Sequence, residues 1–318
     1  MNPVKRLLHP PGFSPRIAWP YAVGVVGYHL LALLTLLPCF FTWSGVTLAA
    51  LGLFVFGTLG IGLGYHRLLT HRGFICPRWL ERGFAILGVC CVQDTPARWV
   101  SVHRLHHQFA DERSDPHSPL AGLLWSHMGW LMVENQALAR LDIYERYAKD
   151  ILADPFYRSL ERNLRWVQIV LLSWVASFVV GAIGASAMGR SAPEALRVGA
   201  SFLVWGVFLR TVLVWHITWS VNSVAHVWGY RRYETGEASR NNLLIGYISN
   251  GEGWHNNHHA DPRSARHGHT WWELDVTWIV IRLLMVTGLA RRVATPRPRL
   301  LASLRTSNNP PKVGHTEA

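Results

Sequence analysis

Nine of the chain's 17 histidines fall into short groups whose spacing could serve chemistry. His66 and His71 stand five residues apart. His103, His106 and His107 follow an i, i+3, i+4 pattern, and His255, His258 and His259 repeat it. His226 comes four residues after Asn222. Residues three and four apart share a helix face, so each triplet aims its rings one way if its segment is helical. His66 and His71 align less well, but two ligands can bracket a turn at a helix end. Neutral imidazole is a good ligand for iron, copper and zinc. Nine imidazoles are too many for one metal and suit two metals with four or five ligands each.

The choice of metal follows from the donor set. Zinc has no redox chemistry, and structural zinc sites commonly use thiolates. The four cysteines, Cys39, Cys76, Cys90 and Cys91, form no Cys-x-x-Cys pair and read as packing residues. Redox iron fits a large all-imidazole site better. Soluble di-iron bundles use four carboxylates and two Glu-x-x-His strings. This chain has one such string, Glu252–His255, so that class fits poorly. His117 and His127 are candidates for hydrogen-bond partners behind the metal site. His9, His29, His216, His267, His269 and His315 have no comparable company and receive no metal role.

The elements that must position these rings are membrane helices. Half of the 318 residues are hydrophobic and 16% are charged, against about 25% charged in a soluble domain. Disorder is excluded, and an ordinary soluble globule is disfavoured. A hydrocarbon core of ~30 Å takes about 20 helical residues. Four stretches qualify: about 17–42, 46–64, 166–188 and 195–215, with Trp43-Ser44-Gly45 as a turn between the first two. The first is too long for a cleavable signal peptide, and a second span follows at once.

Lys and Arg number 31 against 19 Asp and Glu, a net charge of +12. Three of the 31 precede the first span, 13 lie from Arg67 to Arg165, three from Arg190 to Arg210 and 12 from Arg231 onward. The positive-inside rule then places both termini and the middle segment in the cytoplasm, with two hairpins dipping into the bilayer. The excess charge is read as a basic membrane face, with no nucleic-acid partner. Arg210 lies in or near the last span and either snorkels or meets a partner. Segments 79–92 and 271–289 read as helices on the membrane surface. Residues 1–16 form a cytoplasmic segment, 17–295 the membrane domain and 296–318 a disordered tail. The fold class expected is an all-α integral membrane protein: four transmembrane helices in two hairpins, with a cytoplasmic helical cap carrying the histidines.

The boxes H-x4-H, H-x2-H-H, N-x3-H and H-x2-H-H, in this order around two membrane hairpins, resemble those of the integral-membrane fatty-acyl desaturases of the delta-9, stearoyl-CoA desaturase-like type. The likeness extends to Gly64–Leu68, Asp115–His117, Trp125–Trp130, Thr218–Ser223 and Gly251–His259, and covers about residues 61–292. The resemblance implies two iron ions held by His66, His71, His103, His106, His107, His226, His255, His258 and His259, with Asn222 reaching one of them through a water. No catalytic side chain beyond these is implied. The implied reaction uses O₂ and two electrons to remove two hydrogens from a saturated C16 or C18 acyl chain, leaving a cis double bond and two waters.

The family's tunnel residues match Gln93, Trp99, Thr218 and Trp219 here. For the two tryptophans an interfacial aromatic belt is an equal alternative. Animal acyl-CoA enzymes hold the CoA head group with polar and basic residues, where this chain has Asp94, Ser101, Val102, Glu134 and Asn135. Glu134 would repel a phosphate. With Ser264–Gly268 after the third box, the chain looks closer to bacterial and cyanobacterial enzymes, some of which act on glycerolipids. The substrate is then an acyl lipid or acyl-CoA. The electron donor is expected to be a separate ferredoxin, rubredoxin or cytochrome b5-like protein, since no haem-binding domain is attached. The location implied is a bacterial inner membrane. Two rivals stand beside this reading: a di-iron membrane hydroxylase of an alkane, sterol or carotenoid, and a metal transporter. Transport needs ligands near the membrane midplane, whereas these clusters lie outside the spans.

Overall fold

The computed structural model describes residues 9–298 and is mostly helical. A short strand, β1 (Phe13–Ile17), leads into α1 (Trp19–Leu36) and α2 (Trp43–Thr70). Next come α3 (Arg78–Val89), α4 (Pro96–Phe109), α5 (Leu123–His127) and a second strand, β2 (Val133–Asn135). After several short helices follow α6 (Arg165–Ala187), α7 (Ala192–Val227), α8 (His255–Ala260) and α9 (Val276–Val286). By length and composition α1, α2, α6 and α7 can each cross a membrane.

Burial separates these four helices. Only 17% of the apolar window of α1 and of α6 is buried, against 61% for α7. The first two therefore flank the bundle and turn Val23, Val26, Leu30, Leu172, Val180 and Ile183 outward, as helices in hydrocarbon do. The central helix α7 collects Tyr28 of α1 and Trp174 of α6 around Phe208 and Trp215. Arg210 of α7 is buried rather than snorkelling. Its Nη1 donates to the Cys90 carbonyl at 3.0 Å, and its guanidinium sits 4.0 Å from the centroid of the Phe56 ring.

The amphipathic helix α3 lays its buried face, Phe84, Ala85, Gly88 and Val89, on α2. The approach is so close that a Cβ on Gly60 would lie 2.7 Å from the Gly88 nitrogen. Any side chain at Gly60 would push α3 away from the helix that carries His66.

Several boundaries differ from the sequence expectation. Trp43–Gly45 is the first turn of α2, not a linker, because Thr42 Oγ1 caps the helix by accepting from Gly45 N at 3.0 Å. The chain reverses between Leu37 and Thr42 instead. The last apolar segment is helical only over Val276–Val286, since Asp275 caps it through Trp278 N at 2.9 Å. The all-α expectation misses a two-stranded antiparallel sheet, β1 on β2, which crosses the expected boundary at residue 16. Residues 1–8 and most of the expected tail, 299–318, lie outside the described residues.

Candidate metal centre

Four elements bring the nine histidines together. In α4, Thr95 is the N-cap and Pro96 opens the first turn, where its missing N–H costs nothing. This helix carries His103, His106 and His107. The short helix α8 carries His255, His258 and His259, and α7 runs beyond Trp215 to present Asn222 and His226. From Leu53 to Thr70, α2 winds in a wide π-type pattern, and His71 N donates to the His66 carbonyl at 3.1 Å. In an α-helix two residues five apart point about 140° away from each other. The i→i+5 winding brings them back together, and their rings lie 4.8 Å apart.

The result is two groups. Ligand nitrogens of His66, His71, His103, His107 and His258 all lie within 4.8 Å of one another, and so do those of His106, His226, His255 and His259. The triplets are split between them. His103 and His107 go to the first group and His106 to the second, while α8 gives His258 to the first and the other two to the second. The groups share a wall, where His107 stacks on His259 at 4.4 Å.

These residues fit metal ions. In the first group, the Nε2 atoms of His66 and His258 lie 3.1 Å apart, those of His258 and His107 3.0 Å, and those of His107 and His103 3.1 Å. In the second, the Nε2 atoms of His255 and His226 lie 2.9 Å apart, and those of His259 and His255 3.1 Å. Nitrogens about 2.1 Å from one ion, at right angles, are about 3.0 Å apart. The Nδ1 atoms of His66, His106 and His226 are occupied, by Glu252, by Asp115 at 2.9 Å and by Asp111 at 2.9 Å. Such contacts fix the tautomer and leave each Nε2 as a bare lone pair. Buried lone pairs facing one another repel unless a cation lies between them. His71 Nε2 and His106 Nε2 are buried and have no protein partner at all.

Protonation agrees with this. Burial, followed by the neighbouring imidazoles, holds His71, His103, His107, His255, His258 and His259 well below the ordinary histidine value. They are neutral and free to donate electron pairs. For His106 burial acts in the same direction, but the Asp115 carboxylate outweighs it and the ring is pushed up. Burial would raise Glu252, yet the Arg67 guanidinium and His66 hold it down.

A cavity opens beside both groups, with His66, His103, His255 and Asn222 in its wall. It encloses about 1250 Å³, its open mouth included, and its wall is mostly apolar. Gln93, Trp99, Thr218 and Trp219 all line it. Gln93 Nε2 donates to Thr218 Oγ1 at 3.0 Å, and Trp99 Nε1 donates to Gln93 Oε1 at 3.4 Å. This polar bracket ties the start of α4 to α7 across the cavity wall.

The other histidines sort differently from the sequence reading. His117 lies beside His106, ring to ring at 4.5 Å. His127 is not behind the metal groups: it bonds Ser223 and His216. His267, given no role, is buried against Glu252 and His66, and neither of its ring nitrogens has a hydrogen-bond partner. His29 and His216 have company after all, since they bond each other. His269 bonds the Tyr233 hydroxyl, His9 stacks on Phe13, and His315 lies outside the described residues. The carboxylates Asp111, Asp115 and Glu252 were not singled out as partners of the rings. Only Asp115 is close enough in sequence to its ring, nine residues from His106, for spacing to have suggested it.

A family model described as "Fatty acid desaturase" matches residues 41–285. The chain is 41% identical over 286 residues to a sn-1 stearoyl-lipid 9-desaturase of Synechocystis, covering 90% of this chain and 83% of the relative. A sn-2 palmitoyl-lipid 9-desaturase of Nostoc is 40% identical over 91% of this chain and 94% of its own length. An acyl-CoA 5-desaturase of Anemone leveillei is 42% identical over 87% of this chain and 79% of its own.

Proposed function

The chain belongs to the fatty acid desaturase family and is an oxidoreductase, and from that premise we propose that it places a cis double bond at carbon 9 of a saturated C16 or C18 acyl chain esterified in a membrane lipid. The observation that carries this reading is the pair of imidazole groups opening onto one apolar cavity. Two irons would be held by His66, His71, His103, His107 and His258 on one side, and by His106, His226, His255 and His259 on the other, with Asn222 acting through a water. When bound, iron supplies the O₂-dependent redox chemistry that no side chain can perform on an unactivated C–H bond.

The protein's own residues do the rest. Asp111, Asp115 and Glu252 keep the Nδ1 protons of three rings in place, so that the opposite nitrogens stay available. Gln93, Trp99 and Thr218 hold the cavity wall at the height of the rings, and the apolar lining keeps bulk water from the reacting carbons. Asp94 is engaged with Arg98 at 3.4 Å and with Tyr21 at 2.8 Å, and Glu134 is exposed. Neither favours a CoA phosphate, which supports a lipid carrier. In the bilayer the spans pair as two hairpins below which the histidine-bearing elements form a cap. On this reading that cap and both termini lie in the cytoplasm and the spans in a bacterial inner membrane; the Lys and Arg content of the segments outside the spans supports the orientation. Electrons come from a separate ferredoxin, rubredoxin or cytochrome b5-like protein.

Expression in a host lacking unsaturated lipids tests this. After a short labelled pulse, lipid classes are separated and the double bond is located by gas chromatography and mass spectrometry. New 9-monoenes appearing first in glycerolipids are the expected result. First appearance in acyl-CoA moves the carrier, and hydroxy acids in place of monoenes overturn desaturation in favour of a hydroxylase.

A further inference from the structure

The nine rings do not meet their surroundings in the same way. His66, His103 and His255 line the cavity. Six of the nine residues are buried, whereas His71, His107 and His259 are half-buried, and none of these three lines the cavity. His259 shows mainly its backbone, its side chain being 4% exposed, so His71 and His107 make most of the opening. The three rings stand in a row, His71 at 4.6 Å from His107 and His107 stacked on His259 at 4.4 Å. The centre therefore has two faces built of different rings. One meets the cavity and the other comes up to the surface. His71 and His107 bring the first group to that surface, and His259 brings the second.

The residues around the row show what this surface meets. Gln108, Lys149 and Asp150 are exposed, so it faces water rather than hydrocarbon. Arginines flank the row on every side. Arg72 follows His71, and a Cβ on Gly73 would lie 3.1 Å from the Arg263 carbonyl, which sets Arg263 beside the same turn. Arg104 stands one turn before His107 on α4, and Arg146 Nη2 donates to Gln108 Oε1 at 3.4 Å. Arg297 donates to the Ala260 carbonyl, next to His259. The carboxylates among them are already engaged. Asp150 is held by Arg72 and Arg104 at 2.7 Å each, Asp261 by Arg297 at 3.3 Å, and Glu237 accepts from Ser239 Oγ at 2.7 Å. Arg146 and Arg263 have no carboxylate partner among the described residues, so the rim keeps positive charge to offer.

We infer that this face, with His107 at its middle, is where the electron donor docks, and that the donor is a small acidic protein carrying one electron at a time. The inference rests on the desaturase reading. Each turnover takes O₂, two electrons, two protons and two hydrogens from the acyl chain, and it yields the double bond and two waters. Two carriers are therefore oxidised in succession, by one electron each. His107 belongs to the first group and touches His259 of the second, so a carrier seated here stands close to both groups. The acyl chain and the carrier approach from different sides, and the carrier can dock while the chain is in place. A partner that must come and go twice per turnover suits a small, polar, charge-led contact. A basic rim steers an acidic partner, and the attraction fades as salt rises.

The test uses the iron-loaded enzyme in nanodiscs of zwitterionic lipid, with a small acidic plant-type ferredoxin as the carrier. Binding of the oxidised carrier, read by biolayer interferometry, needs no turnover. Arg146→Glu combined with Arg263→Glu should weaken it about tenfold, and wild-type affinity should fall steeply with salt. KM for the carrier should rise by the same factor, while KM for lipid, iron content and melting temperature hold. Enzyme reduced beforehand with dithionite uses no carrier, and its single turnover should yield as much monoene in the variant as in wild type. Arg146→Lys with Arg263→Lys should keep binding near the wild-type level. If the double variant melts lower, Arg263→Glu alone serves. The control pair is Arg158→Glu with Arg162→Glu, both exposed and flanking Glu161, which bonds Thr95 at the far end of α4. An equal loss of binding in that pair means attraction by net charge alone and overturns the docking face, as does binding that survives the change at Arg146 and Arg263. A wild type that makes monoene after dithionite but neither binds the carrier nor takes electrons from it overturns the partner's chemistry. The expected binding pattern without monoene from dithionite-reduced enzyme supports the docking face, and it is then the desaturase reading that has failed.

Discussion

The two imidazole groups look alike in composition and differ in what stands behind them. Behind the five-membered group lies a buried ionic network. Arg67 donates to Glu252 at 2.7 Å and to Asp275 at 2.9 Å, and Glu252 in turn holds His66 and approaches His267 at 3.6 Å. Behind the four-membered group stand separate carboxylates, Asp115 on His106 and Asp111 on His226, each also fixed by a backbone amide. The first group is therefore tied to the fold itself, because Arg67 also binds the Ala265 carbonyl and locks the loop after α8. The second is held by the loop after α4, Asp115 turning back onto that helix and Asp111 reaching across to α7. One centre should fail by unfolding its surroundings, the other by releasing its ion.

The largest effect should come from a ring. His106→Ala is expected to cost turnover more than the roughly 100-fold that loss of an outer partner can cost. Membrane insertion should stay intact and about half the iron should be lost, as read by metal analysis of purified protein. Retained activity would remove His106 from the ligand set.

Changing the backing carboxylates separates the two groups. Glu252→Gln should lower metal affinity roughly 10- to 100-fold. It also leaves Arg67 with Asp275 alone, at a cost of about 3 kcal/mol, the low end for breaking a buried ion pair. Asp111→Asn should lower iron affinity about tenfold with little change in melting temperature. Equal losses of stability in the two variants would erase the distinction.

The smallest effect concerns Asp150, outside both groups. It binds Arg104 at 2.7 Å, and Arg104 binds the carbonyls of Leu69 and Thr70, so the pair fastens α4 to the end of α2. Burial would raise Asp150, but hydrogen bonds from Arg104 and Arg72 hold it down at about 2. A depressed carboxylate stabilises the fold above its unfolded value of 3.8, and that share is lost as pH falls through about 2. Asp150→Asn should therefore melt slightly lower than wild type at neutral pH, and the gap should close in acid. A gap that persists below pH 2 would deny the ion pair its role.

Much of this was legible in the residues. The i, i+3, i+4 triplets share a helix face by geometry alone, and the apolar runs announced four spans. What escaped was whatever depends on the meeting of distant segments. Glu252 reaches His66 across 186 positions of sequence, and His29 reaches His216 across 187. Spacing carries no trace of either. Thr42 and Asp275 were readable as caps, but apolar neighbours masked them. The winding of α2 was hidden for another reason: no local residue preference marks a π-type turn, and only the packed neighbours select it.

That winding makes the helix a ratchet with fixed teeth. Each residue turns a helix by roughly a quarter turn, so one residue gained or lost between Leu53 and His66 would swing the first ring off the site while hydrophobicity and insertion stayed the same. Apolar exchange is open only to the residues of this segment that face outward, since Gly60 admits no side chain against α3, but a change in its count would leave a well-made protein with a dismantled centre.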